Sequence, residues 1–378
     1  MFLQRQFIAH QLLRFKLFKK GFLMNANRVS FNQLKQFIAN AMIKLGLPPD
    51  DALKVGHIMA EADLQGSDGH GVIRLPSYAK RIKAGGINLN PSMKLVKEKA
   101  GMAVLDGDNA MGHLVMKRAA EIAIEKARNC GIAWVGSRFS NHAGPASIYA
   151  RMPMEKNMIG IYFAVGGANH TSPWGGLDML LSTNPIAIAV PAKNEPPMVL
   201  DMATTVTSYG KIKVKAQKGE SMPEGWMIDE NGAPITDPHK TDGGIMLPIG
   251  GYKGYGLQLM VGVLAGTLNA AAMGSSVIDG NADFVTKSNT GQAILAIDLD
   301  AFGDVDEFKL RVDQLSREMR EGKKMPNVKR IWLPGEQSYE KRKLYERDGI
   351  DLHPNLIAQL DEFAHAHQVP TLLQTPST

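Results

Sequence analysis

Four short segments of the 378-residue chain hold residue types whose spacing suits chemistry on a small acid. The first is Gly69-His70-Gly71-Val72-Ile73-Arg74, with Tyr78 beyond it. On a helix, His70, Arg74 and Tyr78 fall on one face at four-residue steps. A planar guanidinium grips a carboxylate through paired hydrogen bonds, and a histidine exchanges protons near neutral pH. The second is Ser140-Asn141-His142-Ala143-Gly144-Pro145, where a strand gives way to a helix, a common seat for ligands in α/β sheets. The third, Gly250-Gly251-Tyr252-Lys253-Gly254-Tyr255-Gly256, runs into an apolar helix. Its glycines let backbone approach a ligand, a helix N-terminus favours anions, and Lys253 adds charge. The fourth joins Thr183-Asn184-Pro185 to Leu200-Asp201-Met202-Ala203-Thr204-Thr205, polar strand ends able to hold a ribose or an amide. Taken singly, each segment also has a plainer reading: a surface turn, a structural histidine or a tight loop.

The elements that must position these residues follow from hydrophobic periodicity. Phe31, Leu34, Phe37, Ile38, Ala41, Met42 and Leu45 recur at helical spacing, and Gly46 ends the run. Ser30 with Gln33 forms a capping box at its start, and Val29 with Leu34 is placed as a hydrophobic staple. Pro48-Pro49-Asp50 opens a second helix with Val55, Ile58, Met59 and Ala62. From about residue 100 strands alternate with helices: Met102–Leu105, Leu114–Ala127, Ile132–Val135, Ala146–Met152 and Met158–Val165. This order predicts βαβ units. Gly225–Gly232 reads as a hairpin with an Asn-Gly turn. Leu257–Leu268 is helical, Ile294–Ile297 a strand, and charged amphipathic helices close the chain.

Several classes of protein are excluded or weakened. No Gly-x-Gly-x-x-Gly follows a strand, and no P-loop, His-Glu-x-x-His or Gly-x-Ser-x-Gly occurs. The net charge of +6 hints at nucleic acid, but five basic residues and no acid lie within residues 1–23. Setting those five aside leaves 38 basic against 37 acidic residues, so no nucleic-acid patch is expected on the folded body. Cys130 is the single cysteine, which rules out a disulfide within the chain and a thiolate metal cluster and fits a reducing cytoplasm. Residues 1–23 are basic and apolar without the unbroken core of a secretion signal. They read as a loose extension or a start-site artefact ahead of Met24, or as a helix lying on a lipid surface, the only route to membrane contact.

Together the segments resemble the malate/L-lactate dehydrogenase family that includes ureidoglycolate dehydrogenase and 2,3-diketogulonate reductase. The resemblance runs from about Phe31 to Leu360 and rests on Asp68-Gly69-His70-Gly71-Val72 with Arg74, Ser140-Asn141-His142 and Pro173-Trp174-Gly175-Gly176. It continues through Ser182-Thr183-Asn184-Pro185-Ile186-Ala187, Asp201-Met202-Ala203-Thr204, Gly210-Lys211, Gly225-Trp226 and Thr236-Asp237-Pro238. Gly251-Tyr252-Lys253-Gly254-Tyr255-Gly256 and Leu333-Pro334-Gly335-Glu336 complete the series.

The resemblance implies a homodimer with a non-Rossmann, mixed-sheet α/β domain that binds NAD or NADP, plus a helical domain built from both chain ends. The corresponding division is a basic extension over 1–28, a helical domain over 29–95 and 255–378, and a cofactor domain over 96–254. It implies that His70 and His142 line the active site, one of them as acid/base, and that Arg74 grips the substrate carboxylate. Asp201, Met202, Ala203, Thr204, Lys253, Gly335 and Glu336 would bind the cofactor. Tyr78, Asn184 and His170 are assigned to the substrate pocket. No metal is required. One departure is Gly69, where the family usually has serine, so a hydroxyl is missing. The implied reaction is hydride transfer between a nicotinamide and a small 2-hydroxy or 2-oxo acid such as malate or lactate. Two other readings compete: reduction of a cyclic imine 2-carboxylate, and a catalytically silent, membrane-associated binding protein.

Overall fold

A computed structural model describes residues 27–375. Residues 1–23, and with them the reading as a lipid-surface helix, lie outside the described residues.

The described residues open on a short strand, β1 (Arg28–Val29), paired antiparallel with β11 (Ile350–Asp351) near the other end. Arg28 therefore belongs to the folded body, although the sequence division assigned it to the extension. Helix α1 (Phe31–Lys44) starts where its cap requires: the Ser30 hydroxyl accepts the N–H of Gln33 at 3.1 Å. The reciprocal half of the capping box is not made. The Gln33 amide donates instead to the Leu372 carbonyl at 3.0 Å and ties the first helix to the last turn. Helix α2 (Pro49–Leu64) has proline at its first position, where no N–H is needed. Helix α3 (Leu75–Lys83) follows two short 3₁₀ turns, Asp68–His70 and Val72–Arg74. Leu34, Phe37, Met59 and Leu75 share one core with Leu360 and Leu372 from the opposite end. Each such side chain contributes roughly 1.5–3 kcal/mol on burial, so this shared core is what joins the two ends.

The second core lies against a seven-stranded sheet. In chain order it comprises β2 (Lys94–Lys99), β3 (Met102–Asp106), β4 (Ile132–Arg138), β5 (Met158–Ala164), β6 (Ile186–Val190), β7 (Met198–Met202) and β10 (Gln292–Asp298). In space the order is β2-β3-β4-β10-β5-β6-β7, and between β7 and β10 the chain forms helix α6 (Tyr209–Lys218) and a separate antiparallel pair, β8 (Met227–Ile228) with β9 (Ile245–Met246). Only β3 and β4 are parallel, joined by helix α4 (Gly112–Cys130). That is the one predicted βαβ unit realised here; the other pairs are antiparallel. Helix α5 (Ala146–Met154) links β4 to β5 and packs on the sheet.

The position of β10 corrects the domain division. The sequence assigned residues 255–378 to the helical part, yet β10 is the middle strand of the sheet, flanked by β4 and β5. Helix α7 (Tyr252–Ala265) packs on β5 and β10. Helix α8 (Val305–Glu321) also docks on this side, because buried Asp313 accepts the N–H groups of Lys193, Asn194 and Glu195 at 2.9–3.2 Å. A strand's partners lie too far away in sequence for periodicity to locate them.

The register gathers one set of loops. Gln292 lies opposite both Ser137 and Ala164, and Ile186 lies opposite both Phe163 and Met202. The exits of β3, β4, β5 and β7 therefore meet at one end of the sheet. His142, His170, Asn184 and Asp201–Thr204 all follow or flank these strand ends. No helix among the described residues is long and apolar enough to cross a membrane.

Candidate active site

The loop leaving β4 is held rigidly before it reaches His142. Buried Asn141 donates to the carbonyls of Asn109 and Ala110, both at 2.9 Å, and accepts from Arg81 Nε at 2.8 Å. Arg81 also donates to the carbonyls of Asp283 and Thr286 at 2.6 and 2.7 Å, so its charge serves architecture. Gly112 permits the close approach of α4: a Cβ there would stand 1.9 Å from the Asn141 carbonyl.

The facing wall is the pair of 3₁₀ turns after α2. They are pinned by Asp63, which is 2 % exposed and accepts the N–H of Val72 at 2.7 Å. Gly71 rests on that carboxylate; a Cβ would lie 2.1 Å from its Oδ1. Burial pushes the Asp63 carboxyl well above its usual range, and nearby Asp68 adds to the shift. The single helix that would put His70, Arg74 and Tyr78 on one face is not formed. Only Tyr78 lies in a regular helix, because the 69–74 stretch with its two glycines turns tightly instead. Arg74 Nε donates to the Gly69 carbonyl at 2.8 Å, which leaves its two terminal nitrogens for a ligand. A Cβ on Gly69 would meet nothing within 4 Å, so the space a serine side chain would fill is open.

The two walls meet at His142. The rings of His70 and His142 stack with centroids 5.5 Å apart, and the Tyr78 hydroxyl lies 2.6 Å from His142 Nδ1. The Gly144 N–H approaches the same nitrogen at 3.4 Å. His142 and Asp201 are open to solvent at their surfaces yet crowded by protein on their other sides, as groups on the floor of a cleft are. That crowding pushes His142 well below an ordinary histidine, with repulsion from His70, Arg74 and His113 adding to it. Burial and then the Arg74 charge lower His70 to about 4. Both imidazoles are therefore neutral at pH 7, ready to accept a proton. Burial raises Tyr78, so its phenol stays protonated.

Asp201 joins this site to the β7 exit. Its carboxylate accepts the N–H of Ser147, in the first turn of α5, at 2.9 Å, and the Ser147 hydroxyl in turn accepts from Gln65 at 3.0 Å. Burial raises the Asp201 pKa despite the Ser147 hydrogen bonds. Thr204, fully buried, donates to the Thr183 carbonyl at 2.9 Å, and its own carbonyl accepts the N–H of Ile249 at 3.0 Å. Met202 and Ala203 are half-buried beside it. The strand exit is thereby fastened to the glycine loop ahead of α7. There Gly250 and Gly251 both take left-handed φ values, 58° and 65°, and no side chain caps the helix. Lys253 is exposed in its first turn. Uncapped N–H groups, left-handed glycines and a lysine fit a phosphate group.

Other assigned residues are placed differently. Asn184 is fully buried; its amide donates to the Gln258 carbonyl at 3.0 Å and its oxygen faces the Gly166 N–H at 3.4 Å. It braces the loops and does not line the cleft. Glu336 is 3 % exposed, with Arg320 at 2.8 Å, Arg330 at 3.4 Å and the Leu333 N–H at 3.0 Å around its carboxylate. Helix α9 (Glu336–Asp348) thus begins on a carboxylate already paired within the chain. Gly335, at φ 86°, is pressed on β7, where a Cβ would fall 2.8 Å from the Val199 carbonyl. His170 packs edge-on to Tyr209, centroids 4.9 Å apart, and no contact joins it to His70 or His142. No contact joins Lys253 to Arg74 or to either histidine within the chain. Among the described residues no group of histidine, cysteine and acidic side chains is arranged to hold a metal ion.

One residue went unnoticed in the sequence. His113, at the start of α4, is fully buried with neither ring nitrogen hydrogen-bonded, and it stands edge-on to Tyr78 with centroids 5.4 Å apart. Burial, helped by His70, lowers it to about 3. Its position next to a helix-opening glycine gave no chemical signal.

Comparison with known proteins places the chain in a family of dehydrogenases. The sequence profile of the malate/L-lactate dehydrogenase family matches residues 29–361. A malate dehydrogenase of Pyrococcus abyssi is 38% identical over 357 residues, covering 92% of this chain and 97% of the relative. The solved structure of sulfolactate dehydrogenase from Methanocaldococcus jannaschii superposes with a TM-score of 0.85 at 35% identity, covering 92% of this chain and all of that one. Delta1-piperideine-2-carboxylate reductase from Pseudomonas syringae gives a TM-score of 0.79 at 26% identity, covering 89% of this chain and 99% of that one.

Proposed function

The chain belongs to the malate/L-lactate dehydrogenase family of hydroxy acid dehydrogenases, and from that premise we propose that it transfers a hydride between a nicotinamide nucleotide and a small 2-hydroxy or 2-oxo acid. The observation that carries this reading is the meeting of His70, His142 and Tyr78, with the terminal nitrogens of Arg74 left free in the same pair of 3₁₀ turns. Arg74, with Nε held by Gly69, offers its terminal nitrogens to the substrate carboxylate and fixes the C2 oxygen near His142. His142 accepts the hydroxyl proton during oxidation and returns it during reduction. His142 takes this part in preference to His70 because Tyr78 occupies its Nδ1 and leaves Nε2 for the substrate. When bound, the nicotinamide supplies or accepts the hydride. Asp201, Met202, Ala203 and Thr204 would hold it, with Lys253 and the glycine loop at a phosphate and the Gly335 turn beside β7. The nucleotide held there is NAD or NADP.

A second reading, reduction of a cyclic imine 2-carboxylate, draws on the likeness to the piperideine-2-carboxylate reductase. The same cation and imidazole would serve a C=N bond. One assay separates the two: loss of NADH or NADPH with pyruvate, oxaloacetate, sulfopyruvate and a cyclic imino acid, in wild type and His142→Ala. Turnover of oxo acids that His142→Ala abolishes supports the main reading. Turnover of the imine alone refutes it.

A homodimer completes the proposal. Trp174, Tyr252, Met260 and Leu268 are 52–62 % exposed on α7 and the neighbouring loop, a concentration of open apolar surface that suits a second copy. Met260→Asp should shift the sedimentation coefficient to that of a monomer. The single unpaired Cys130 suits a reducing cytoplasm.

A further inference from the structure

His142 is held at Nδ1 by a phenol, not by a carboxylate. The Tyr78 hydroxyl sits 2.6 Å from Nδ1, and Tyr78 is 6 % exposed, so water does not compete freely for that oxygen. The groups facing His142 are Tyr78 from α3, His70 and Arg74 from the 3₁₀ turns, His113 from α4, and the Gly144 N–H. None is an anion, so nothing among the described residues stabilises a permanent imidazolium. An ionised carboxylate only accepts hydrogen bonds and favours the charged ring. A phenol accepts from Nδ1–H or donates to a bare Nδ1, so it holds the ring in the charged state and in either neutral tautomer. Behind it, His113 locks the Tyr78 ring by edge-on packing at 90°.

We propose that Tyr78 is the positioning residue of His142: its hydroxyl accepts from Nδ1–H and keeps Nε2 turned to the substrate oxygen while the ring gains and loses its proton. The proposal rests on the reading of His142 as the acid–base group, and it moves Tyr78 from substrate contact to control of the histidine. During oxidation the substrate O–H bond breaks and its proton joins Nε2. The C2 hydrogen leaves with its electron pair to the oxidised nicotinamide, and Nδ1–H goes on donating to Tyr78 Oη. Reduction reverses each transfer, so protons and electrons balance without another reactant.

The test is Tyr78→Phe, which keeps the ring and removes only the hydroxyl. Two readouts are needed: steady-state kinetics across pH, and ¹⁵N spectra of the His142 ring in histidine-labelled protein. The expected result is a fall in kcat of at least about tenfold, with KM for the acid within about twofold and the acid limb of kcat/KM displaced. The His142 nitrogen shifts should move in the same variant. A rise in KM with kcat and the pH profile unmoved shows that Tyr78 touches substrate and overturns the proposal. Unmoved ring-nitrogen shifts overturn it whatever the kinetics do. If wild type turns over no hydroxy acid, the functional reading fails on its own, and the nitrogen spectra still decide the Tyr78–His142 link.

Discussion

Replacing Arg74 with alanine tests two physical effects at once. The first is binding. With Nε committed to the Gly69 carbonyl, the terminal nitrogens can make two charge-assisted hydrogen bonds to a carboxylate. Each is worth ~1.5–3 kcal/mol, and partial exposure of Arg74 argues for the low end. A total near 3 kcal/mol corresponds to a loss of roughly 100-fold in kcat/KM. The second effect is electrostatic. The Arg74 charge helps push both His70 and His142 below an ordinary histidine. A base must be neutral to act, so its depressed pKa keeps the enzyme active into acid. Removing the charge raises both histidines, and the acid limb of kcat/KM should move to higher pH. Arg74→Lys separates the two effects, since it keeps the charge and loses the planar fork. Steady-state kinetics from pH 4.5 to 9 would expose both. An Arg74→Ala enzyme with unchanged kcat/KM, or with the same acid limb as wild type, refutes the reasoning.

Three further outcomes follow from the same wall of the cleft. Asp63 has a folded-state pKa well above its ordinary value of 3.8, so its proton is held more tightly in the folded protein, and its contribution to stability falls as pH rises above 3.8. Asp63→Asn should flatten the dependence of thermal unfolding on pH above 3.8, and an unaltered dependence would count against the buried acid. Gly71→Ala places a Cβ against the Asp63 carboxylate and should cost roughly 1–3 kcal/mol, measured by denaturant unfolding. It should also damage turnover, because the displaced turns carry His70 and Arg74. Gly69→Ser, by contrast, fills open space and should change stability by less than about 0.5 kcal/mol while altering KM for the acid; a large loss of stability would show that the space is not open.

Local signals in the chain translated well into local structure. Ser30 caps where a short polar residue before an apolar run should, and Gly250-Gly251 adopts the left-handed backbone that glycine alone takes easily. His70, Arg74 and His142 stood out by residue type, since a cation and an imidazole are what a 2-oxo acid requires, and the fold brings His70 and Tyr78 against His142. What stayed hidden depends on partners distant in sequence. The placement of β10 between β4 and β5 needs two pairings across more than a hundred residues, and a short apolar run says nothing about either. Asn184 and Glu336 looked like ligand groups because the groups that consume their polarity are contributed by other elements: the Gln258 carbonyl for Asn184, the Arg320 and Arg330 guanidiniums for Glu336. Asp63 sits among apolar neighbours in α2 and carries no motif, although a lone acid on a buried helix face was a readable anomaly. His113 shows the opposite limit. Its importance comes from standing against Tyr78, and sequence spacing does not bring residues 78 and 113 together.

The most direct measurement uses nicotinamide deuterated at C4. The purified protein is incubated with NADH or NADPH labelled on each face in turn and with a 2-oxo acid, and the product is analysed by mass spectrometry and NMR. The account predicts one deuterium at C2 of the hydroxy acid from one face only, and none when His142→Ala replaces wild type. Hydroxy acid formed without label from either face, or no product with any oxo acid, would contradict it.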